Sequence, residues 1–89
     1  MARIALSEIE KAEIAAKCGA AEALFDLGLA YSIGRDVNQD LVNAHKWFNL
    51  AALKGNGAAR EYRADIAREL SADQVADAQR KAREWLQAH

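Results

Sequence analysis

The chain has 89 residues and a formal charge of −1, with twelve basic and thirteen acidic residues spread along its length. At this size, folding buries roughly 64% of the unfolded surface, which supports one small core and leaves no volume for a deep enclosed pocket. The balanced charge offers none of the basic patches typical of nucleic-acid or anionic-membrane binding. We therefore expect a single domain that binds neither nucleic acid nor membrane.

Several functional classes lack their sequence signals. No apolar run has the length of a signal peptide or of a membrane span of roughly 20 residues, so we expect a cytoplasmic protein. Cys18 is the single cysteine, which excludes an intrachain disulfide and a cysteine-rich metal site. His45 and His89 have no second ligand at helical spacing, and His45 is expected on a helix surface. We predict no catalytic residues, no metal and no cofactor.

The first two helices are bounded by recognisable caps. The absence of proline and the helical spacing of apolar residues predict five helices and no strands. Ser7 and Glu10 form a capping box that begins the first helix, and Gly19 follows its end. The second helix runs from about residue 20 to residue 33, and Gly34 stops it.

The remaining three helices follow the same rules. Asp40 is a suitable N-cap for a third helix over about residues 41–54. A fourth covers about residues 57–70, and Ser71 with Gln74 forms a second capping box that begins the fifth. The short connections predict that each consecutive pair of helices packs in an antiparallel hairpin.

Gly28 lies inside the second helix, where glycine costs about 1 kcal/mol relative to alanine. A close approach by the third helix would compensate for this cost. The facing positions are then expected to be Ala44, Phe48 and Ala51.

A group of small residues recurs after thirty-six positions. Ala15, Ala16, Gly19 and Ala23 return as Ala51, Ala52, Gly55 and Ala59. A self-similarity of this length is typical of a helical repeat array.

The unit between the two copies resembles the Sel1-like repeat, a relative of the tetratricopeptide repeat. The matching residues are Leu27, Gly28, Tyr31, Gly34, Val37, Asp40, Ala44, Trp47, Ala51, Ala52 and Gly55. Asp36 departs from the pattern, because the family commonly has glycine there. The resemblance implies an all-α fold, a short right-handed α-solenoid of about five antiparallel helices in one domain over residues 1–89. The full repeat is expected at about 20–55, an N-terminal half repeat at 7–19 and capping helices at 57–88.

The resemblance also implies a protein–protein interaction module without catalysis, an adaptor or regulatory subunit. In tetratricopeptide relatives the first helix of each pair lines a concave groove. The corresponding predicted partner-binding residues are Glu22, Phe25, Leu29, Ser32, Ala58, Glu61 and Asp65. An apolar floor with an acidic rim suits an amphipathic peptide or helix that carries basic side chains.

Two alternatives remain open at this stage. In the first, the fifth helix folds back over Phe25 and Leu29 and fills the groove from within. In the second, the chain is a self-associating structural subunit, a homodimer that buries Trp85, Leu86 and the segment from residue 4 to residue 9. Trp47 is expected in the core in either case.

Overall fold

The computed structural model describes residues 7–89, and this part of the chain contains five α-helices. They are α1 (Glu8–Lys17), α2 (Ala21–Ile33), α3 (Leu41–Leu53), α4 (Ala58–Glu69) and α5 (Ala72–Ala88). The bounds predicted for α2, α3 and α4 are confirmed to within one residue at each end.

Side-chain caps fix several helix ends. The hydroxyl of Ser7 accepts a hydrogen bond from the amide of Glu10, whose carboxylate accepts one from the amide of Ser7. Ser71 and Gln74 form the same reciprocal pair at the start of α5. The carboxylate of Asp40 accepts from the amide of Asn43 at 3.1 Å. The predicted caps are confirmed, and they explain why the boundaries could be placed closely.

Asp36 lies in the loop between α2 and α3 with a φ of 62°. Within residues 7–89 it is the only residue other than glycine with a positive φ. The left-handed conformation is costly for most side chains and least so for aspartate and asparagine among the polar residues. The loop therefore keeps the backbone shape that glycine would favour, with aspartate in its place.

Helix α3 is the centre of the fold. It packs against α2, α4 and α5, while α1 packs against α2. This enclosure on three sides buries Trp47, as predicted, together with Phe48 and Leu50.

The last helix departs from the predicted arrangement. It lies against α3 rather than against α4, so the prediction that consecutive helices pair is wrong for α4 and α5. The physical reason is the apolar surface of α3, where Trp47 packs edge-to-face with Trp85 of α5 at 5.8 Å between ring centroids. Helix α4 buries only Ala59 and Ile66, and so offers α5 much less apolar surface.

His45 is buried, with 3% of its surface exposed, so the prediction of a surface histidine is wrong. Its Nδ1 atom has no hydrogen-bond partner among residues 7–89. Burial lowers the pKa of the imidazole below its ordinary value, and the positive charge of Arg63 lowers it further. A helix that is covered on one side only would have left this position in water.

Candidate interaction surface

Three aromatic rings from three helices meet at one side of the molecule. Phe25 of α2 lies 5.5 Å from Phe48 of α3 and 5.1 Å from Tyr62 of α4, measured between ring centroids. Phe48 and Tyr62 are themselves 5.4 Å apart. The edge-to-face contact of Phe25 with Tyr62 is a favoured aromatic geometry. These rings connect α2 to α4, whose backbones make far fewer close approaches than those of α2 and α3.

The aromatic cluster continues as an apolar stripe along α2. Leu29 lies one turn after Phe25 and is half-buried, and Ile33 lies a further turn along with 66% of its surface exposed. Tyr62 borders this stripe and is 44% exposed. We call the surface formed by Phe25, Leu29, Ile33 and Tyr62 the aromatic groove.

The acidic residues predicted for the groove rim are Glu22, Glu61 and Asp65, each within three residues of Phe25 or Tyr62 in its own helix. Glu61 is exposed in the first turn of α4, and Asp65 forms an ion pair with Arg68 one turn later. Glu22 is exposed at the start of α2. Within the described part of the chain, neither Glu22 nor Glu61 forms an ion pair. Both carboxylates are therefore exposed without an intrachain cation among residues 7–89.

The predicted groove residues occupy different environments. Ser32 is half-buried, and its hydroxyl donates a hydrogen bond to the carbonyl oxygen of Leu29 at 2.8 Å. The hydroxyl proton is therefore already used by a bond within α2. Ala58 is exposed at the start of α4. Glu22 also lines a separate cavity between α1 and α2, which places it between two surfaces.

The alternative in which α5 covers Phe25 and Leu29 is wrong, because α5 lies against α3. The ring that covers Phe25 belongs to Tyr62, which sequence reasoning missed. Thirty-six residues before Tyr62 stands Asp26, so the repeat pattern gave no sign of an aromatic residue at this position. The helical spacing does indicate that Tyr62 lies next to the buried face of α4. It is three residues after Ala59 and four before Ile66, the two buried residues of this helix.

The predicted self-association residues lie at the far end of the chain. Trp85 is half-buried against Trp47, and its ring also lies 4.6 Å from that of His89. Leu86 is 38% exposed. Of the segment from residue 4 to residue 9, residues 4–6 lie outside the described residues.

Chemical groups elsewhere are sparse. Between Ser7 and His89, no three side chains of histidine, cysteine, aspartate or glutamate lie together as a metal site. Cys18 is exposed at the C-cap of α1. None of the five helices is both long enough and apolar enough to cross a membrane.

Comparison with known proteins identifies the repeat. A family model described as "Sel1 repeat" matches residues 21–56 and 72–88, which together make up more than half of the chain. The first match covers α2 and α3, and the second covers α5. No curated protein matches the chain.

Proposed function

The chain belongs to the Sel1 repeat family, whose repeats generally mediate protein–protein interaction, and we propose that it is an adaptor or regulatory subunit that holds one partner segment in the aromatic groove. The segment is an amphipathic peptide or helix with basic side chains along one edge. The chain itself contributes binding and no catalysis.

The observation that carries this proposal is the position of Tyr62. Its ring packs on Phe25 and Phe48 and yet remains 44% exposed, so the floor of the groove is held in place by intrachain contacts and is still accessible. A pre-positioned aromatic surface binds with little loss of side-chain entropy. Tyrosine is also among the residues that contribute most to binding energy at protein interfaces.

The charges around the groove define the partner further. Glu61 and Glu22 form no ion pair in the part of the chain that the structure describes, whereas Asp65 forms one with Arg68. Lysine or arginine side chains on the partner would complement this rim and fix its orientation. Apolar burial over Leu29 and Ile33 would supply most of the affinity.

A peptide-display selection tests the proposal. A library of amphipathic helical peptides is selected on the full chain, and the recovered peptides are titrated against Leu29→Glu. We expect peptides with an apolar stripe edged by lysine or arginine, with an affinity in the micromolar range. Leu29→Glu is expected to weaken binding at least about tenfold, since a charge replaces apolar contact in the centre of the groove.

Leu53→Glu is the matched control. Leu53 is 63% exposed and, like Ile33, is the last residue of its helix, but it lies on α3 beside Arg60 and Arg63. This variant should bind the selected peptides as the wild type does. Equal loss in both variants, or peptides without basic residues, would contradict the proposed groove. Circular dichroism confirms that each variant remains helical.

Self-association remains the second candidate function, supported by the 38% exposure of Leu86 on α5. The contact of Trp85 with Trp47 weakens this candidate. Trp85 is the largest side chain proposed for the dimer, and it already packs against a residue of its own chain. Light scattering after size-exclusion chromatography separates the two. A mass of one chain at all concentrations would remove the homodimer.

A further inference from the structure

A second concave surface lies between α1 and α2, away from the aromatic groove. It is a cavity of about 690 Å³. Its floor consists of small or aliphatic residues, and charged residues surround it. The floor residues are Ile9, Ala12, Ala15, Ala23 and Ala30, of which Ala23 and Ala30 are buried and the other three are partly exposed.

The thirty-six-residue repeat gives this cavity a counterpart inside the fold. When thirty-six is added to its residue numbers, α1 falls within the sequence range of α3. The same shift makes the range of α2 coincide with that of α4 to within one residue. The same displacement carries the cavity residues Ala12, Ala15, Asp26 and Ala30 onto Phe48, Ala51, Tyr62 and Ile66.

The counterpart surface on α3 and α4 is covered by a helix. Gly28 of α2 lies directly against Phe48, and Phe25 of α2 packs on Tyr62. Phe48, Ala51 and Ile66 of this counterpart surface are buried. The cavity between α1 and α2 is therefore the same kind of surface one repeat earlier, and among residues 7–89 no helix packs over it as α2 packs over its counterpart.

We infer that this cavity receives one amphipathic helix of a partner protein, which packs on α1 and α2 as α2 packs on α3 and α4. The differences between the two surfaces specify the helix. Ala12 replaces the bulky Phe48, so the docked helix has room for a large aliphatic side chain where α2 has Gly28. Asp26 replaces Tyr62, so a lysine or arginine fits where α2 has Phe25.

Charge complementarity supports a basic partner helix. Among the charged residues around the cavity, acidic side chains outnumber basic ones, and Lys11 is already paired with Glu8 at 3.4 Å. Asp26 and Glu22 form no ion pair within residues 7–89. An incoming cation at this edge would gain attraction without displacing an intrachain partner.

A synthetic peptide that copies residues 20–34 with Phe25→Lys and Gly28→Leu is the probe. It is titrated into the full chain, and binding is followed by calorimetry and by the NMR shifts of the alanine methyl groups. We expect it to bind at least about tenfold more tightly than the unmodified copy, with the largest shifts at Ala12, Ala15 and Ala23.

Charge reversal locates the contact. Asp26→Lys should weaken binding of the probe at least about tenfold, and a second peptide with glutamate in place of the lysine should recover it. Asp73→Lys, which reverses an exposed acid on α5, is the matched control and should bind the probe as the wild type does. Ala12→Phe, which recreates the bulk of Phe48, should abolish binding of the leucine-bearing probe.

Four results would overturn the inference. The first is no binding of the probe at millimolar concentration, and the second is equal binding by wild type and Asp26→Lys. The third is self-association of the isolated chain that Asp26→Lys abolishes, which would assign the cavity to a second copy. The fourth is nuclear Overhauser contacts from residues 1–6 to the methyl groups of Ala12 and Ala23, which would assign it to the chain's own N-terminal segment.

Discussion

Gly28 on α2 lies so close to the ring of Phe48 on α3 that a Cβ atom at residue 28 would be 2.5 Å from Cδ1 of the ring. It would also be 2.6 Å from Cε1 and 2.9 Å from Cγ. Folded proteins essentially never contain such contacts, so any side chain at residue 28 must displace the ring or the helix. The close approach of α3 predicted from this mid-helix glycine is confirmed.

Gly28→Ala is therefore expected to destabilise the fold. Alanine gains about 1 kcal/mol of helix propensity over glycine, but overpacking against a buried ring costs typically 1–3 kcal/mol. We expect a net loss in the free energy of unfolding of up to about 2 kcal/mol, measured by urea denaturation.

Gly57→Ala provides the control for this measurement. Gly57 has helical backbone angles, and a Cβ atom there would meet nothing within 4 Å. Its free energy of unfolding should stay the same or rise slightly. The proposed clash would be wrong if Gly28→Ala behaved in the same way as Gly57→Ala.

Asp36→Gly is expected to stabilise the loop between α2 and α3. Asp36 has a φ of 62°, which glycine adopts without steric cost. The release of this strain should exceed the entropy that glycine adds to the unfolded chain, for a gain of up to about 1 kcal/mol. Thermal denaturation would show it as a higher midpoint.

A β-branched residue at the same position tests the cause. Asp36→Val should lower the midpoint, because a branched side chain is strongly disfavoured at positive φ. Similar midpoints for the glycine and valine variants would show that backbone strain at residue 36 contributes nothing to stability.

The sequence predicted local structure better than the order of packing. Capping boxes and glycines act within a few residues, so Ser7, Ser71 and Gly34 fixed helix ends that the structure confirms. Gly28 could be interpreted because its cost had to be offset by a neighbour. Caps and glycines depend on interactions between residues that are close in the sequence, so the sequence alone is enough to predict their effects.

The errors concern contacts between distant helices. The prediction of a surface His45 is wrong because nothing in the sequence of α3 alone shows that α4 and α5 also cover this helix. Tyr62 was missed because it has no counterpart in the repeat. The position of α5 depends on whether α3 or α4 offers more apolar surface, and helix periodicity does not measure that difference.

The burial of His45 predicts a loss of stability in mild acid. Its pKa is lowered in the folded state, by burial first and by Arg63 second, so the unfolded chain takes up a proton more readily. The free energy of unfolding should be unaffected by this group above about pH 6.5 and fall as the pH drops below it. The slope contributed by one proton is at most about 1.4 kcal/mol per pH unit.

His45→Gln isolates this contribution. Glutamine does not titrate, so the variant should lose less stability than the wild type between pH 7.5 and pH 5, whatever its stability at neutral pH. Urea denaturation at several pH values gives both slopes. If the two slopes were equal, protonation of His45 would not be what weakens the fold in acid.

Trp85→Ala tests whether α5 is held to the core by the contact with Trp47. The two rings pack edge-to-face at 5.8 Å, and α5 lies against α3 rather than against α4. Truncation of a fully buried tryptophan costs about 3–5 kcal/mol. Because Trp85 is only half-buried, we expect Trp85→Ala to lower the free energy of unfolding by about 2–3 kcal/mol.

Leu86→Ala is the control. Leu86 is the more exposed neighbour, so its truncation should cost less than about 1 kcal/mol. Chemical denaturation gives both values, and light scattering gives the mass of each variant. The outcome that contradicts this role is a wild-type oligomer that dissociates in Trp85→Ala while the free energy of unfolding stays the same. That result would assign this tryptophan to an interface between chains.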